Sequence, residues 1–163
     1  MNDIVVYGKI IIDDIRLNSG EIVHELLGGG GPQGAFGARL WEDSVALLTR
    51  SGVDIPEGPK DNLLSLDIDL SGWMQYEDLP TARGLMAYDE NEYMSAQMDY
   101  VKRKDAFKNF MRDMLSREIP IPESCQSPKV IHLITEYVDE PMANAALKKK
   151  KNGAIYSLEP IID

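Results

Sequence analysis

The sequence predicts an α/β fold built on a parallel sheet, and three observations predict it. Short, nearly continuous β-branched runs lie near both ends of the chain, as in Ile4-Val5-Val6-Tyr7 and residues 130–134. Runs of that kind suit strands buried on both faces. They alternate with segments of helical character, the pattern of a sheet covered by helices. The middle of the chain holds two extended stretches with polar faces, which do not suit a two-sided buried sheet and read as a separate flap.

Taken in order, Ile4-Val5-Val6-Tyr7 and Ile10-Ile11-Ile12 read as one buried strand closed by Asp13-Asp14. Residues 21–27 alternate in part and read as a half-exposed strand after the turn Asn18-Ser19-Gly20. Gly28-Gly29-Gly30-Gly31 and then Pro32 lead into a helix ending near Trp41. Proline opens it, and Gly34, Ala35, Gly37 and Ala38 allow close packing on a sheet. Val45-Ala46-Leu47-Leu48-Thr49 is a short buried strand, ended by Ser51-Gly52-Val53-Asp54. Residues 73–76 and 83–88 read as two strands of the flap, separated by Asp78-Leu79-Pro80-Thr81. From 105 to 118 the period becomes helical, because Phe107, Phe110, Met111, Met114 and Leu115 form one apolar stripe. Ile119-Pro120-Ile121-Pro122 is a stiff linker. Residues 130–134 form a strand, 139–151 a helix and 155–158 a final strand. Asp139 can cap that helix, with Pro141 in its first turn and Lys148 to Lys151 at its negative end.

Composition bounds the function. The chain has 163 residues and 44% hydrophobic residues, enough for one domain with a real core. A formal charge of −10 argues against nucleic acid and against an anionic membrane surface as partners. A single cysteine, Cys125, excludes an internal disulfide framework. The N-terminus does not read as a secretory signal, so the expected setting is the cytoplasm.

Few residues are candidates for chemistry. The glycine run lets backbone approach a ligand, and a helix start presents unpaired N–H groups. Gly29-x-Gly31-x-x-Gly34, with Asp54 about 20 residues on, satisfies a dinucleotide pattern, although Pro32 removes one donor. A flexible turn before a helix is the plainer reading. Asp13 and Asp14 stand where a strand ends, the place where ligands gather in open α/β sheets. A carboxylate there can accept hydrogen bonds from sugar hydroxyls, or it can simply form a turn. Glu136 has the same placement and the same ambiguity. His24 and His132 read as satisfied structural histidines, and Cys125 lacks a base partner.

The order of these pieces resembles the PfkB, or ribokinase-like, family of carbohydrate kinases. Gly8-Lys9-Ile10-Ile11-Ile12-Asp13 looks like the family's first strand with its substrate-binding Asp. Gly28-Gly29-Gly30-Gly31-Pro32-Gln33-Gly34-Ala35 is similar to its N-terminal signature, with Gln33 where Asn is usual. Residues 45–54 match the strand and Gly-x-Asp turn that follow, and residues 79–89 look like the Pro-Thr-containing lid strand. His132-Leu133-Ile134-Thr135-Glu136 resembles the strand ending in a substrate-contacting Glu, and Ser157-Leu158-Glu159-Pro160 echoes a later strand. The resemblance implies a Rossmann-like ribokinase fold: a parallel sheet with flanking helices and a small β-sheet lid. The chain would be a single incomplete domain over 1–163, with lid strands near 14–27 and 73–91.

Asp13, Gly28, Gly29, Gln33 and Glu136 would then bind a small-molecule sugar or nucleoside. The family's Gly-Ala-Gly-Asp anion hole is not among the 163 residues, and the Asn-x-x-Glu pattern of its magnesium motif occurs only at Asn18-Ser19-Gly20-Glu21, in the turn before the half-exposed strand and not downstream where the family carries it. ATP and Mg2+ are therefore expected in a full-length enzyme and not on this chain, whose own part is the substrate side. The other readings are a non-catalytic binding or regulatory protein of the same fold and a dinucleotide-binding domain. Self-association through the lid or an open sheet edge is also expected.

Overall fold

A computed structural model describes residues 1–91, 112–136, 139–148 and 153–161. Eight strands and three α-helices lie wholly within them: β1 (Ile4–Tyr7), β2 (Ile11–Arg16), β3 (Ile22–Gly28), α1 (Gly30–Arg39), β4 (Val45–Gly52), α2 (Glu57–Leu64), β5 (Trp73–Tyr76), β6 (Arg83–Ala87), β7 (Val130–Glu136), α3 (Glu140–Leu147) and β8 (Ile155–Ile161). The larger sheet has the order β5-β4-β1-β7-β8, and every pairing in it is parallel.

Alternation along the strands builds one core on each face. Val6, Val45, Leu47 and Ile134 face α1 and pack with Ala35. Val5, Tyr7, Ala46, Leu48, Ile131 and Leu133 face α3 and pack with Met142, Ala145 and Ala146. The eight residues of β4 are all buried, as a central parallel strand requires. Asp139 caps α3 by accepting the Met142 N–H at 3.2 Å. Residues 112–115 are helical, with Met114 and Leu115 buried, while the earlier part of the expected helix lies outside the described residues. α2 was not legible in the sequence: Gly58 and Pro59 stand in its first turn and it buries only Leu63.

The lid is a three-stranded sheet in the order β3-β2-β6. Two expectations are corrected here. Residues 4–12 are not one strand, because the chain leaves the larger sheet at Gly8 and re-forms as β2 in the lid, so Asp13 and Asp14 lie inside a strand and not past its end. Residues 73–76 are not lid. They pair with β4 at the edge of the larger sheet, where Trp73 packs against the core and donates its Nε1–H to Ser51 Oγ at 2.8 Å. Only β2, β3 and β6 carry the lid, and β6 runs parallel to β2 where a hairpin would run antiparallel.

The root of β6 is tied to the turn after β4. Thr81 donates its backbone N–H (2.6 Å) and its hydroxyl (2.7 Å) to Asp54 Oδ1, and its hydroxyl oxygen accepts the Gly52 N–H at 3.1 Å. Burial alone would raise the Asp54 pKa, but the Thr81 bonds outweigh it and hold the carboxyl below 3.8. Thr81→Val keeps the shape and removes these hydroxyl bonds, leaving the Gly52 N–H without its partner. The expected cost is about 1–3 kcal/mol by urea denaturation. A folded-state pKa below the unfolded value gives stability that is present above that value and is lost as pH falls through the folded one. The wild-type loss of stability in acid should therefore be shallower in Thr81→Val, and identical acid limbs in the two proteins would contradict this latch.

Candidate functional site

In a parallel sheet the C-terminal ends of all strands lie together. From β1 the chain proceeds to β4 and β5 on one side and later to β7 and β8 on the other, so the topological switch falls between β1 and β7. That crevice is where open α/β sheets bind ligands. The start of α1 lies over it. The Gly31 N–H donates to the Lys9 carbonyl, just past β1, at 3.1 Å. A β-carbon at Gly34 would come within 2.6 Å of Ile134 Cδ1 on β7, and one at Gly30 would strike the same side chain. Glycine at both positions lets the helix settle onto the two strands. Gly29, at φ 89° and ψ 153°, makes the turn from β3 into α1. Its missing β-carbon leaves room for the Lys9 carbonyl.

Asp13 stands on β2 between two glycines. In register it faces Leu26 of β3 and Gly84 of β6. A β-carbon on Gly28 or on Gly84 would overlap the Asp13 carboxylate, so the carboxylate fills the space that two absent side chains leave. Burial pushes the Asp13 pKa up, the Asp14 charge adds to that, and Lys9 opposes it. Such a carboxylate gains from any hydroxyl brought to it, because water hydrates it poorly.

Asp14 points to the other face and has a structural task. It accepts the Glu25 N–H at 3.0 Å and contacts His24 Nδ1 at 3.1 Å. These partners fix the irregularity of β3, where Glu25 has φ 57° and the pairing register slips. The paired aspartates of the sequence thus separate into one ligand candidate and one strand fastener.

The other expected site residues divide. Gly28 and Gly29 join Asp13 at the lid root. Glu136 ends β7, the neighbour of β1 across the switch point, and its backbone pairs with Ile161. Gln33 is exposed on the first turns of α1. His132 is a structural histidine whose Nδ1 lies 3.0 Å from Ser157 Oγ. Gly84 was overlooked, because only the β2–β6 register brings it to Asp13.

A buried ion pair lies beneath this end of the sheet. Arg50 of β4 and Asp139 meet at 2.5 Å, each side chain 2% exposed. Arg50 also donates to the carbonyls of Leu115 (2.9 Å) and Arg117 (2.5 Å), while its Nε has no hydrogen-bond partner among the described residues. Arg117 in turn forks onto Asp78 and lies over the Tyr76 ring at 4.7 Å. This network is not legible in the sequence, since its members are far apart in the chain.

The dinucleotide reading is overturned. It requires the glycine loop to join the first strand directly to a helix, and the lid hairpin β2–β3 intervenes. Asp54, the candidate ribose ligand, is already bonded to Thr81. The start of α1 is also a poor phosphate cradle, because Gly31 spends its N–H on Lys9 and Pro32 has none. Among the described residues no group of three or more His, Cys, Asp or Glu could hold a metal ion. No helix among them is long and apolar enough to cross a membrane.

This architecture, a five-stranded parallel sheet with a small second sheet as lid, is the ribokinase-like fold, and solved structures align with it. A PfkB protein from a Polaromonas species has a TM-score of 0.72 at 15% identity, over 100% of this chain and 57% of its own. A putative ribokinase II from E. coli has a TM-score of 0.69 at 13% identity, covering 100% of this chain and 54% of its own. A fructokinase from Xylella fastidiosa, solved with bound ATP, has a TM-score of 0.66 at 15% identity, over 100% and 53%. Identities this low show a shared fold. No family model matches the chain. An uncharacterized protein of Schizosaccharomyces pombe is 25% identical over 142 residues, which is 82% of this chain and 35% of that protein. The chain thus spans about half the length of these solved structures and a smaller share of the curated relative.

Proposed function

We propose that these residues form the substrate-binding half of a PfkB-type carbohydrate kinase acting on a sugar or nucleoside hydroxyl. The observation that carries this reading is the niche around Asp13. A partly buried carboxylate is held between Gly28 and Gly84 in the small sheet that the chain enters after β1, and Glu136 ends β7, the neighbour of β1 at the switch point. Asp13 and Glu136 accept hydrogen bonds from acceptor hydroxyls, and the lid excludes water when it closes. In the full-length enzyme ATP with Mg2+ supplies the phosphoryl group. No Gly-Ala-Gly-Asp motif occurs among the 163 residues, and the role proposed for them is to bind and orient the acceptor.

Titration calorimetry with D-ribose, D-fructose and adenosine tests this. Weak binding without ATP turnover is expected, and Asp13→Asn should weaken binding at least about tenfold, as the loss of a charge-assisted bond implies. The same substitution should raise the melting temperature. An acid whose folded pKa is raised costs stability as pH rises through the window above 3.8, and asparagine carries no such cost. Unchanged affinity in Asp13→Asn, or phosphorylation by these 163 residues alone, would refute the reading.

Self-association is proposed at the outer edge of β8. Ile155 is 68% and Leu158 62% exposed there, on a strand paired only with β7 among the described residues. Sedimentation should show dimers or larger species that Leu158→Arg disperses; a wild-type monomer at high concentration contradicts this.

A further inference from the structure

Side-chain alternation fixes what else lies on the lid face that carries Asp13. Along β2, Ile11, Asp13 and Ile15 share one face, and Ile12, Asp14 and Arg16 share the other. Across the ladder, Ile15 pairs with Val23 of β3 and with Met86 of β6, and Asp13 pairs with Leu26 and Gly84. One row past the carboxylate the face is therefore Val23, Ile15 and Met86, with Leu26 flanking. These four are accessible in part, Leu26 to 38%. Apart from Asp13, the charged groups whose contacts define the lid ladder fall on the opposite face: Asp14 binds His24 and the Glu25 N–H, and Arg83 pairs with Ile12 in register and approaches Glu25 at 3.6 Å. That face also holds Ile12, buried with Ile10 and Ile55. A bulge in β3 achieves this sorting, since three residues there span the two rows that two residues span on β6.

We infer that the acceptor is uncharged and two-sided, with vicinal hydroxyls for Asp13 and a flat apolar group, as in a nucleoside, for the Val23–Ile15–Met86–Leu26 surface. The inference deepens the substrate-binding reading and rests on it. A free sugar would satisfy the carboxylate but leave the apolar row in water. A sugar phosphate would bring a second negative charge close to the Asp13 carboxylate, in a chain of formal charge −10.

Calorimetry with adenosine, D-ribose and D-ribose 5-phosphate, on the wild type and on Ile15→Thr and Met86→Gln, tests the inference. Adenosine is expected to bind at least about tenfold more tightly than D-ribose, and D-ribose 5-phosphate more weakly than D-ribose. Each variant should weaken adenosine about fivefold while D-ribose stays within about twofold, the loss that removal of one or two buried methyl groups implies. Both substitutions are at half-exposed positions, and melting curves confirm that each variant folds. D-ribose bound as tightly as adenosine, with Asp13→Asn still abolishing binding, overturns the two-sided acceptor and leaves the substrate-binding reading standing. No binding of any of the three, or binding indifferent to Asp13→Asn, overturns both. A wild-type dimer that Ile15→Thr and Met86→Gln dissociate assigns the apolar row to a second copy and overturns the inference.

Discussion

Asp139→Ala is expected to destabilise the protein by about 3–5 kcal/mol, because it leaves the Arg50 guanidinium buried without its counter-charge. The two side chains meet at 2.5 Å with each 2% exposed, so neither can turn to water for compensation. The same substitution removes the cap of α3, where Asp139 accepts the Met142 N–H. For a chain of this size the melting temperature should fall by about 10 °C. Asp139→Asn, which keeps a capping oxygen and loses the charge, should fall between wild type and alanine. A double variant, Arg50→Met with Asp139→Asn, should recover much of the loss, since the isolated charge goes with its partner. Urea denaturation of the four proteins checks this. A loss below about 1 kcal/mol in Asp139→Ala would mean that the pair is solvated in a way its burial denies.

Gly29→Ala is expected to cost about 3 kcal/mol or more. The backbone there, at φ 89° and ψ 153°, lies in a region that only glycine occupies without strain. The added carbon would also press on the Lys9 carbonyl, which belongs to backbone and has no rotamer to yield. Gly20 supplies the control. It too has a positive φ, 86°, but a β-carbon there meets nothing within 4 Å, so Gly20→Ala should cost only about 1–2 kcal/mol. Equal losses at the two positions would show that conformational strain alone, and not the close approach of the β3–α1 turn to Lys9, explains the glycine. Because α1 begins over the switch point, Gly29→Ala should also weaken ligand binding.

The sequence itself determined the layers and most of the strands. The apolar runs at residues 4–7, 45–49 and 130–134 suit strands covered on both faces, which is what a central parallel strand requires, and all three lie in the larger sheet. It also marked α1 and α3, through the small residues after the glycine run and the capping Asp139, which are local devices. Three things were left to tertiary structure. The break at Gly8 depends on the approach of Gly31, whose backbone lies within 2.6 Å of where a Gly8 β-carbon would be. The place of residues 73–76 depends on what Trp73 finds to pack against, since a short half-buried strand reads alike in a lid and at a sheet edge. The division of labour between Asp13 and Asp14 depends on which face of β2 each occupies, and hence on the register with β3 and β6. Local chemistry reports how a segment folds on itself. Pairing between strands far apart in the chain decided which carboxylate faces the ligand, because that choice is a relation among three strands and belongs to none of them singly.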